Sequence, residues 1–400
     1  MTKKILIISH AHPELSKGGA EVASWNLFQS LKEAGHECLY LARSENLSHG
    51  GSTFSVRQQD QIMLHTSITD WFCLSSSNTK HLFDDLGELV KEFSPDIMHV
   101  HHYAHIGIEI FTALKRAAPQ AKLIFTLHEY MAICMHNGQM VKNNSLKLCF
   151  KESPADCNRC FPERSPADFF LRKQYILDQF ASVDEFISPS QFLADRYIDW
   201  GIPKNKMHVI ENILPSFEKL LPRPLGTEKK RGRLAFFGQL NLYKGIDILL
   251  QALALLPEDI KAHIHLDIHG ANLELQSQAF QDKVTLLLED VQELVTMRGA
   301  YESEQLPILM QETDWVIIPS IWWENAPVVI QEAIALGRPL IGSNIGGMKE
   351  KIEGIAGLTF QVKSPASLAN AILEAIEPLT FDKNYHSLHT KVDMYDAHLA

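Results

Sequence analysis

Short apolar runs alternate along this chain with longer stretches in which apolar residues recur every three or four positions. The first-half runs that predict buried strands are 4–10, 37–43, 96–102, 122–128 and 185–190. The stretches with helical spacing are 20–35, 88–93, 107–117 and 170–182. Alternation of this kind predicts a parallel sheet with helices on both faces.

The same alternation restarts after residue 230. Its predicted strands are 233–239, 262–270, 294–301, 314–320 and 338–344, and its predicted helices are 244–256, 303–313 and 327–337. The segment between the halves, 212–230, contains prolines, a glycine and a charge cluster, as linkers do. We therefore expect an α/β domain at 1–211, a linker at 212–230, a second α/β domain at 231–375 and a helical segment at 376–400.

Composition and charge narrow the possible functions. The chain has 400 residues, 46% of them hydrophobic and 21% charged, which suits two globular domains. Its net charge of −11 divides into −2 for residues 1–210 and −9 for residues 211–400. An acidic chain without basic runs argues against a nucleic-acid partner. The less acidic first half leaves peripheral contact with a membrane surface open.

The N-terminus and the hydropathy indicate a cytoplasmic protein. The apolar run before His10 is too short for a signal peptide, and no window reaches the ~20 apolar residues of a membrane span. We expect a location in the cytoplasm, with contact at the inner face of the membrane left open.

The segment 319–347 carries the strongest chemical signal. Glu324 and Glu332 are separated by seven residues, and Asn325-Ala326-Pro327 opens the helix that carries Glu332. The backbone N–H groups at such a helix start can hold a phosphate, and carboxylates accept hydrogen bonds from sugar hydroxyls. The pattern alone also allows Glu324 to be a helix cap and Glu332 to lie on a solvated face.

This segment resembles the signature of glycosyltransferase family 4, the group 1 glycosyltransferases. The matching positions are Pro319, Ser320, Glu324, Pro327, Glu332, Ala333, Ala335, Gly337, Pro339, Gly346 and Gly347. Asn325 stands where the family usually has glycine. The resemblance implies a GT-B architecture, two Rossmann-like domains facing across a cleft, and a retaining, metal-independent transfer from a nucleotide-sugar donor. It makes 1–211 the acceptor-side domain and 231–375 the donor domain, and it suggests that the segment 376–400 crosses back to the first domain. It assigns donor contacts to the backbone of Asn325, Ala326, Pro327 and Val328, places Glu332 on the ribose, and puts Glu324 on the sugar.

Further motifs follow in the order found in the family. Gly18-Gly19-Ala20-Glu21 resembles its glycine loop beside the donor phosphates and acceptor. Gly238-Gln239-Leu240 with Lys244-Gly245 resembles its diphosphate motif, in which Lys244 would neutralise charge; Gln239 replaces the usual Arg.

Thr126-Leu127-His128-Glu129 resembles the family motif whose histidine reaches the donor sugar. The alternative is that His128 is a structural side chain at the end of a strand. In the preceding predicted strand, His101 or His102 would line the acceptor side, again with a structural role left open.

A cysteine-containing insertion follows His128 and spans 134–160. Cys134, Cys149, Cys157 and Cys160 contain a single Cys-x-x-Cys pair, so reduced thiols and a structural zinc site are both open. No catalytic metal and no resident cofactor are expected, since the nucleotide sugar is a co-substrate.

The function expected from these features is sugar transfer to a glycan or lipid-linked acceptor, in cell-envelope polysaccharide synthesis. Two alternatives stay open: a nucleotide-sugar epimerase of the same fold, and a nucleotide-sugar-binding protein whose catalysis is weakened, the reading that Gln239 favours. A dinucleotide oxidoreductase is disfavoured because no Gly-x-Gly-x-x-Gly follows the first strand.

Overall fold

The chain folds into two compact units, Met1–Pro215 and Ser216–Ala400. The computed structural model describes residues 2–16, 18–44, 52–76, 80, 83–143, 145–215, 217–225, 230–325, 327–355 and 357–392. The division at Pro215 falls inside the segment 212–230 that the sequence suggests as a linker. Residues 393–400, the end of the predicted helical segment 376–400, and Ala326 lie outside the described residues.

The first unit contains one large sheet. Its strands are β1 (Lys4–Ser9), β2 (Glu37–Ser44), β3 (Phe54–Gln58), β4 (Gln61–His65), β5 (Ile68–Asp70), β6 (Ser75–Ser76), β7 (Ile97–Val100), β8 (Lys122–Thr126), β9 (Glu185–Ser188) and β10 (Met207–Val209). In the described part of this unit, eight strands join in the order β10-β9-β8-β7-β1-β2-β4-β3, and β5 pairs with β6 separately. All pairs in the large sheet are parallel except β3 with β4.

Helices cover this sheet. They are α1 (Gly19–Glu33), α2 (Asp85–Phe93), α3 (Ile110–Ala117), α4 (Pro154–Cys160), α5 (Pro166–Phe180) and α6 (Gln191–Trp200). Ile7 of β1, Phe28 of α1 and Tyr40 of β2 are fully buried in one core cluster. The central strand is therefore apolar on both faces, as its uninterrupted hydrophobic run requires.

The second unit repeats the design with one six-stranded sheet. Its strands are β11 (Arg233–Phe237), β12 (His265–His269), β13 (Val295–Gly299), β14 (Trp315–Ile318), β15 (Leu340–Ser343) and β16 (Gly357–Phe360). Among the described residues they lie in the order β13-β12-β11-β14-β15-β16, and every pair is parallel. This is the strand order of a Rossmann fold.

The helices of the second unit enclose its core. They are α7 (Ile246–Ala254), α8 (Glu258–Lys261), α9 (Gln278–Asp290), α10 (Leu306–Gln311), α11 (Val328–Ala335), α12 (Gly346–Ile355), α13 (Pro365–Ala375) and α14 (Pro378–Val392). Phe381 and Tyr385 of α14 pack into the same core as Trp315 of β14. None of the described helices is both long and apolar enough to cross a bilayer.

Part of the expected linker is bound to the second unit. The Arg338 guanidinium donates to the carbonyl oxygens of Leu220 at 3.4 Å and Leu221 at 2.8 Å. Arg223 pairs with the buried Asp314 at 2.9 Å. Residues 217–225 therefore follow the surface of that unit instead of running through solvent.

In both units the first strand lies where the direction of strand addition reverses. β1 lies between β2 and β7, and β11 between β12 and β14. Open α/β sheets bind ligands at the carboxyl ends of strands around this switch point. The residues that follow β1, β7 and β8 in the first unit, and β11 and β14 in the second, are therefore the ones to examine for function.

Candidate functional site

Lys244 and Glu324 meet in the second unit although 80 residues separate them. Lys244 Nζ lies 2.5 Å from Glu324 Oε1. The same oxygen accepts from the Ser320 hydroxyl at 2.8 Å and from the Trp322 indole N–H at 2.9 Å. The Glu324 residue is only 6% exposed. Three donors on one oxygen fix the carboxylate and orient the lysine ammonium beside it.

Local backbone structure positions Lys244. The Asn241 side-chain oxygen accepts from the N–H groups of Tyr243 and Lys244, both at 3.0 Å, and shapes the 3-10 turn Leu242–Lys244. The Lys244 ammonium also lies 5.9 Å from the centre of the Trp322 ring. A cation at that distance from an indole face is attracted by the ring.

Two glycines let the loops around this pair approach each other. Gly245 has φ +70°, and a Cβ there would lie 2.1 Å from the Pro319 carbonyl oxygen. A Cβ on Gly347 would lie 1.7 Å from the Asn325 carbonyl oxygen. Both positions therefore require glycine. A side chain on Gly245 would push the Lys244 loop away from Pro319, and one on Gly347 would push the start of α12 away from the Glu324–Asn325 loop.

The start of α11 follows this pair directly. Pro327 is its N-cap and offers no side-chain acceptor, so the first-turn N–H groups receive no capping bond from that residue. Val328 begins the helix, and Asn325 is buried at 7% exposure. The structure thus places Asn325, Pro327 and Val328 beside Glu324, while the expected contact at Ala326 lies outside the described residues.

Glu332 lies on α11 near a group of aromatic rings at the strand ends. Burial raises its pKa to about 7. Its carboxylate also contributes to raising the pKa of Tyr301, after burial as the main cause. Phe237 stacks on His269 at 4.7 Å, and Tyr301 meets Phe237 edge-on at 5.4 Å. A half-buried carboxylate near Tyr301, whose ring in turn contacts Phe237, is suited to a ligand with both hydroxyl groups and a flat apolar part.

Gln239 is exposed at the end of β11. Its side-chain oxygen accepts from Asn241 Nδ2 at 3.4 Å. It brings no positive charge to the position that the family resemblance gives to an arginine.

Histidines collect at the carboxyl ends of β7 and β8 in the first unit. His101 Nδ1 and His128 Nε2 are 3.1 Å apart and share one hydrogen bond. His99 stacks on His101 at 4.4 Å, and its Nε2 lies 2.7 Å from Thr126 Oγ1. Burial lowers the pKa of His128 to about 3 and that of His99 to about 4. These imidazoles are therefore neutral near pH 7, and His128 acts as a neutral hydrogen-bonding group.

Glu129 completes this group. Its Oε1 lies 3.7 Å from His102 Nε2, and burial raises its pKa to about 8. Burial also lowers the pKa of His102 well below its usual value. The His102–Glu129 contact is therefore mainly one between uncharged groups near pH 7.

The glycine loop lies at the start of α1. Gly18 is its N-cap, and a Cβ there would lie 2.4 Å from Glu21 Oε2. Glu21 is 3% exposed, accepts from the Ser16 hydroxyl at 2.9 Å and lies 3.4 Å from His10 Nε2. Gly18 therefore leaves the space in which the buried Glu21 carboxyl group lies close to His10, the residue after β1.

The four cysteines of the insertion line one small cavity together with His136. Cys157 and Cys160 lie on α4, and none of the four cysteines is in a disulfide bond. Burial raises the pKa of Cys157 to about 12. In the part of the chain that the structure describes, no group of three or more histidine, cysteine or acidic side chains is arranged to hold a metal ion. The zinc alternative for Cys134, Cys149, Cys157 and Cys160 gains no support from this arrangement.

The sequence matches known families over both units. Residues 17–214 match Glycosyltransferase Family 4, and residues 218–386 match Glycosyl transferases group 1. The chain belongs to the group 1 glycosyltransferases. The two matches cover nearly all the elements above, including the Lys244–Glu324 pair and the histidine group.

Two bacterial proteins are among the relatives of this glycosyltransferase. It is 23% identical over 360 residues to an uncharacterized 42.6 kDa protein in the cps region of Klebsiella pneumoniae, covering 86% of each chain. It is 26% identical to the lipopolysaccharide 1,2-N-acetylglucosaminetransferase of Salmonella typhimurium over 52% of this chain and 56% of that enzyme. The chain thus spans only about half the length of the Salmonella enzyme.

A solved structure confirms the fold. The Anabaena protein HepE in complex with UDP-glucose matches with a TM-score of 0.62 and 17% identity, over 99% of this glycosyltransferase and 98% of that chain. The two Rossmann-like domains are those of the GT-B fold, as expected from the sequence.

Two side chains of the candidate site, Trp322 and Tyr301, were not predicted from the sequence. Trp322 lies two residues before Glu324, inside the strongest motif, and Tyr301 ends a predicted strand. Their spacing in the sequence does not show their contacts. An aromatic residue adjacent to a motif carboxylate was the available signal for Trp322.

Proposed function

We propose that this glycosyltransferase moves a sugar from a nucleoside-diphosphate sugar to a glycan or lipid-linked acceptor, with retention of anomeric configuration and without a metal cation. The observation that carries the proposal is the Lys244–Glu324 pair, at 2.5 Å, directly before the start of α11. Lys244 and the helix N–H groups supply positive charge for a departing diphosphate. Glu324 and Glu332 supply acceptors for sugar and ribose hydroxyls.

The acceptor class and the cellular role rest on the relatives. The Salmonella protein acts on lipopolysaccharide, the Klebsiella protein comes from a cps region, and the Anabaena protein binds UDP-glucose. These names support a nucleotide-sugar donor and a role in cell-envelope polysaccharide synthesis. In the first unit, neutral His128 would accept or donate a hydrogen bond to a sugar hydroxyl without adding charge.

The test is donor turnover by the purified chain. Nucleoside diphosphate release from a panel of UDP-, GDP- and ADP-sugars should show slow hydrolysis of one donor, unaffected by EDTA. NMR of the released sugar should show the donor's anomeric configuration first. We expect Lys244→Ala to lower turnover about 100-fold, because one charge on the leaving diphosphate is lost. Lys283→Ala, an exposed lysine on α9 paired with Asp247, is the matched control and should turn over like the parent chain.

Other results would contradict the proposal or favour one of the two alternative functions. Inverted product, EDTA-sensitive turnover or normal turnover by Lys244→Ala would contradict it. Conversion of a donor into its epimer would favour the epimerase. Tight UDP binding without turnover on any donor would favour a weakened binding protein, the alternative supported by the uncharged Gln239.

A further inference from the structure

The hairpin formed by β5 and β6 presents an exposed tryptophan. Trp71 lies in the turn and is 48% exposed. Asp70 Oδ1 accepts from the N–H groups of Phe72 at 2.9 Å and Cys73 at 3.2 Å. The buried Arg172 donates to the Phe72 carbonyl oxygen at 2.6 Å. The turn is thus anchored on both sides of Trp71, which holds a large apolar ring in solvent.

Trp71 is the outer end of a line of rings. It meets His105 edge-on at 4.9 Å, and His105 lies parallel to His10 at 6.2 Å, with 14° between the planes. His105 has φ +63°, a conformation that non-glycine residues seldom adopt. We call Trp71, His105 and His10 the aromatic row.

The inner end of the aromatic row is polar. His10 Nε2 lies 3.4 Å from the buried Glu21 Oε1. The buried Nδ1 of His10 has no hydrogen-bond partner among the described residues. The His10 side chain is 17% exposed, whereas its Nδ1 and the Glu21 carboxyl group are buried, so the inner end of the row presents a partly exposed imidazole held from behind by a carboxyl group.

The aromatic row lies where its sheet binds ligands. His10 follows β1 and His105 follows β7, and these two strands are neighbours at the switch point of the sheet. The N–H of Ile108 donates to the Leu74 carbonyl oxygen at 2.8 Å and fixes the hairpin to the segment after β7. The exposed ring is therefore part of a rigid strand-end surface.

This arrangement matches the chemistry of a sugar ring. A pyranose has an apolar C–H face that stacks on an aromatic ring and a rim of hydroxyl groups that bond to carboxyl and imidazole groups. We propose that Trp71, His105 and His10 form a subsite for a neutral pyranose ring, the acceptor sugar of the transfer, and that the buried Glu21 holds the His10 ring in place. The inference rests on the proposed function and makes the acceptor a glycan.

Saturation-transfer difference NMR on the full chain tests the subsite. The probes are the methyl glycosides of glucose, galactose, mannose and N-acetylglucosamine, with uridine and myo-inositol for comparison. At least one glycoside should receive saturation mainly on the protons of one ring face. We expect Trp71→Ala to reduce that signal about fivefold or more and Trp71→Phe to keep roughly half, because phenylalanine retains a smaller stacking face.

Phe170→Ala is the matched control, because Phe170 is 54% exposed on α5 in the same unit and lies outside the aromatic row. It should bind like the parent chain, and thermal unfolding checks that the Trp71 variants are folded. Saturation of no glycoside, equal saturation in Trp71→Ala, or a Trp71-dependent signal from uridine alone would overturn the proposal. UDP titration separates the two claims. UDP binding without glycoside binding refutes only the subsite. Trp71-dependent glycoside binding without UDP binding refutes the donor function and, with it, the assignment of the bound sugar as an acceptor.

Discussion

At the scale of single residues, the proposed donor site depends on one carboxylate oxygen that accepts three hydrogen bonds. Glu324 Oε1 accepts from Lys244, Ser320 and Trp322 at the distances given above. Trp322 is thus a positioning residue that acts through Glu324. A hydrogen bond to a charged group contributes about 1.5–3 kcal/mol, so its loss should be measurable.

A double-mutant cycle measures this coupling. Trp322→Phe should lower kcat/KM for the donor about tenfold by removing the indole N–H. In a Glu324→Gln background, Trp322→Phe should lower kcat/KM for the donor only about twofold, because the oxygen that accepts from the indole is no longer charged. Trp315→Phe is the control: Trp315 is fully buried in the same unit and its indole nitrogen has no partner among the described residues. It should lower the melting temperature but leave kcat/KM nearly unchanged, and additive effects in the cycle would refute the positioning role.

At the scale of elements, the loops after β11 and β14 come together at the proposed donor site because their backbones are in contact. The N–H of Ile321 donates to the Tyr243 carbonyl oxygen at 2.8 Å. Gly245 lies at this contact, with its Cα facing Pro319. This position requires glycine for two separate reasons: the backbone is left-handed, and there is no space for a side chain.

Comparing Gly245→Ala with Gly299→Ala separates these requirements. Gly299 has φ +77° but nothing within 4 Å of a built Cβ, whereas Gly245 has φ +70° and a backbone oxygen at 2.1 Å. Gly299→Ala should cost about 1 kcal/mol from backbone strain alone. Gly245→Ala should cost about 3 kcal/mol or more and also weaken UDP binding, since the loops must separate. Urea unfolding and UDP titration give the two readouts; equal losses of stability in both variants would show that the clash is relieved without cost.

At the scale of the whole molecule, buried ionisable groups should make stability depend on pH. Burial lowers the pKa of His99 from 6.5 to about 4 on folding. The contribution of His99 to the free energy of unfolding is therefore fully present above pH 6.5 and is lost as the pH falls towards 4. Glu129 and Glu332 act in the opposite direction, because burial raises their pKa values to about 8 and 7. What these two residues contribute to the free energy of unfolding is therefore lost as the pH rises through those values.

Comparing matched histidine variants isolates the histidine effect. Between pH 7 and pH 5, His99 alone should cost about 2 kcal/mol of unfolding free energy. His99→Gln should reduce the loss of urea-unfolding stability over that range. His208→Gln should leave it unchanged, because His208 is 45% exposed at the edge of the same sheet. A parent-like slope in the His99 variant would contradict this account.

Much of the fold followed from local pattern. The predicted strands at 4–10 and 233–239 became β1 and β11, because their apolar runs suit a central strand buried on both faces. The short strands β3 to β6 and the helix α9 were not predicted. β3 is mostly exposed, and α9 buries only Phe280 and Val284, so neither has a strong hydrophobic pattern.

The sequence by itself determined two parallel α/β units and the motif residues at their strand ends, because hydrophobic period and glycine placement are local properties of a chain. Only the tertiary structure decided which side chains meet. The pairing of Lys244 with Glu324 through Trp322, and the line from Trp71 to Glu21, join segments far apart in sequence. Such contacts depend on the order of the strands and on loops that approach so closely that no Cβ fits between them. Neither property is encoded in a local sequence pattern.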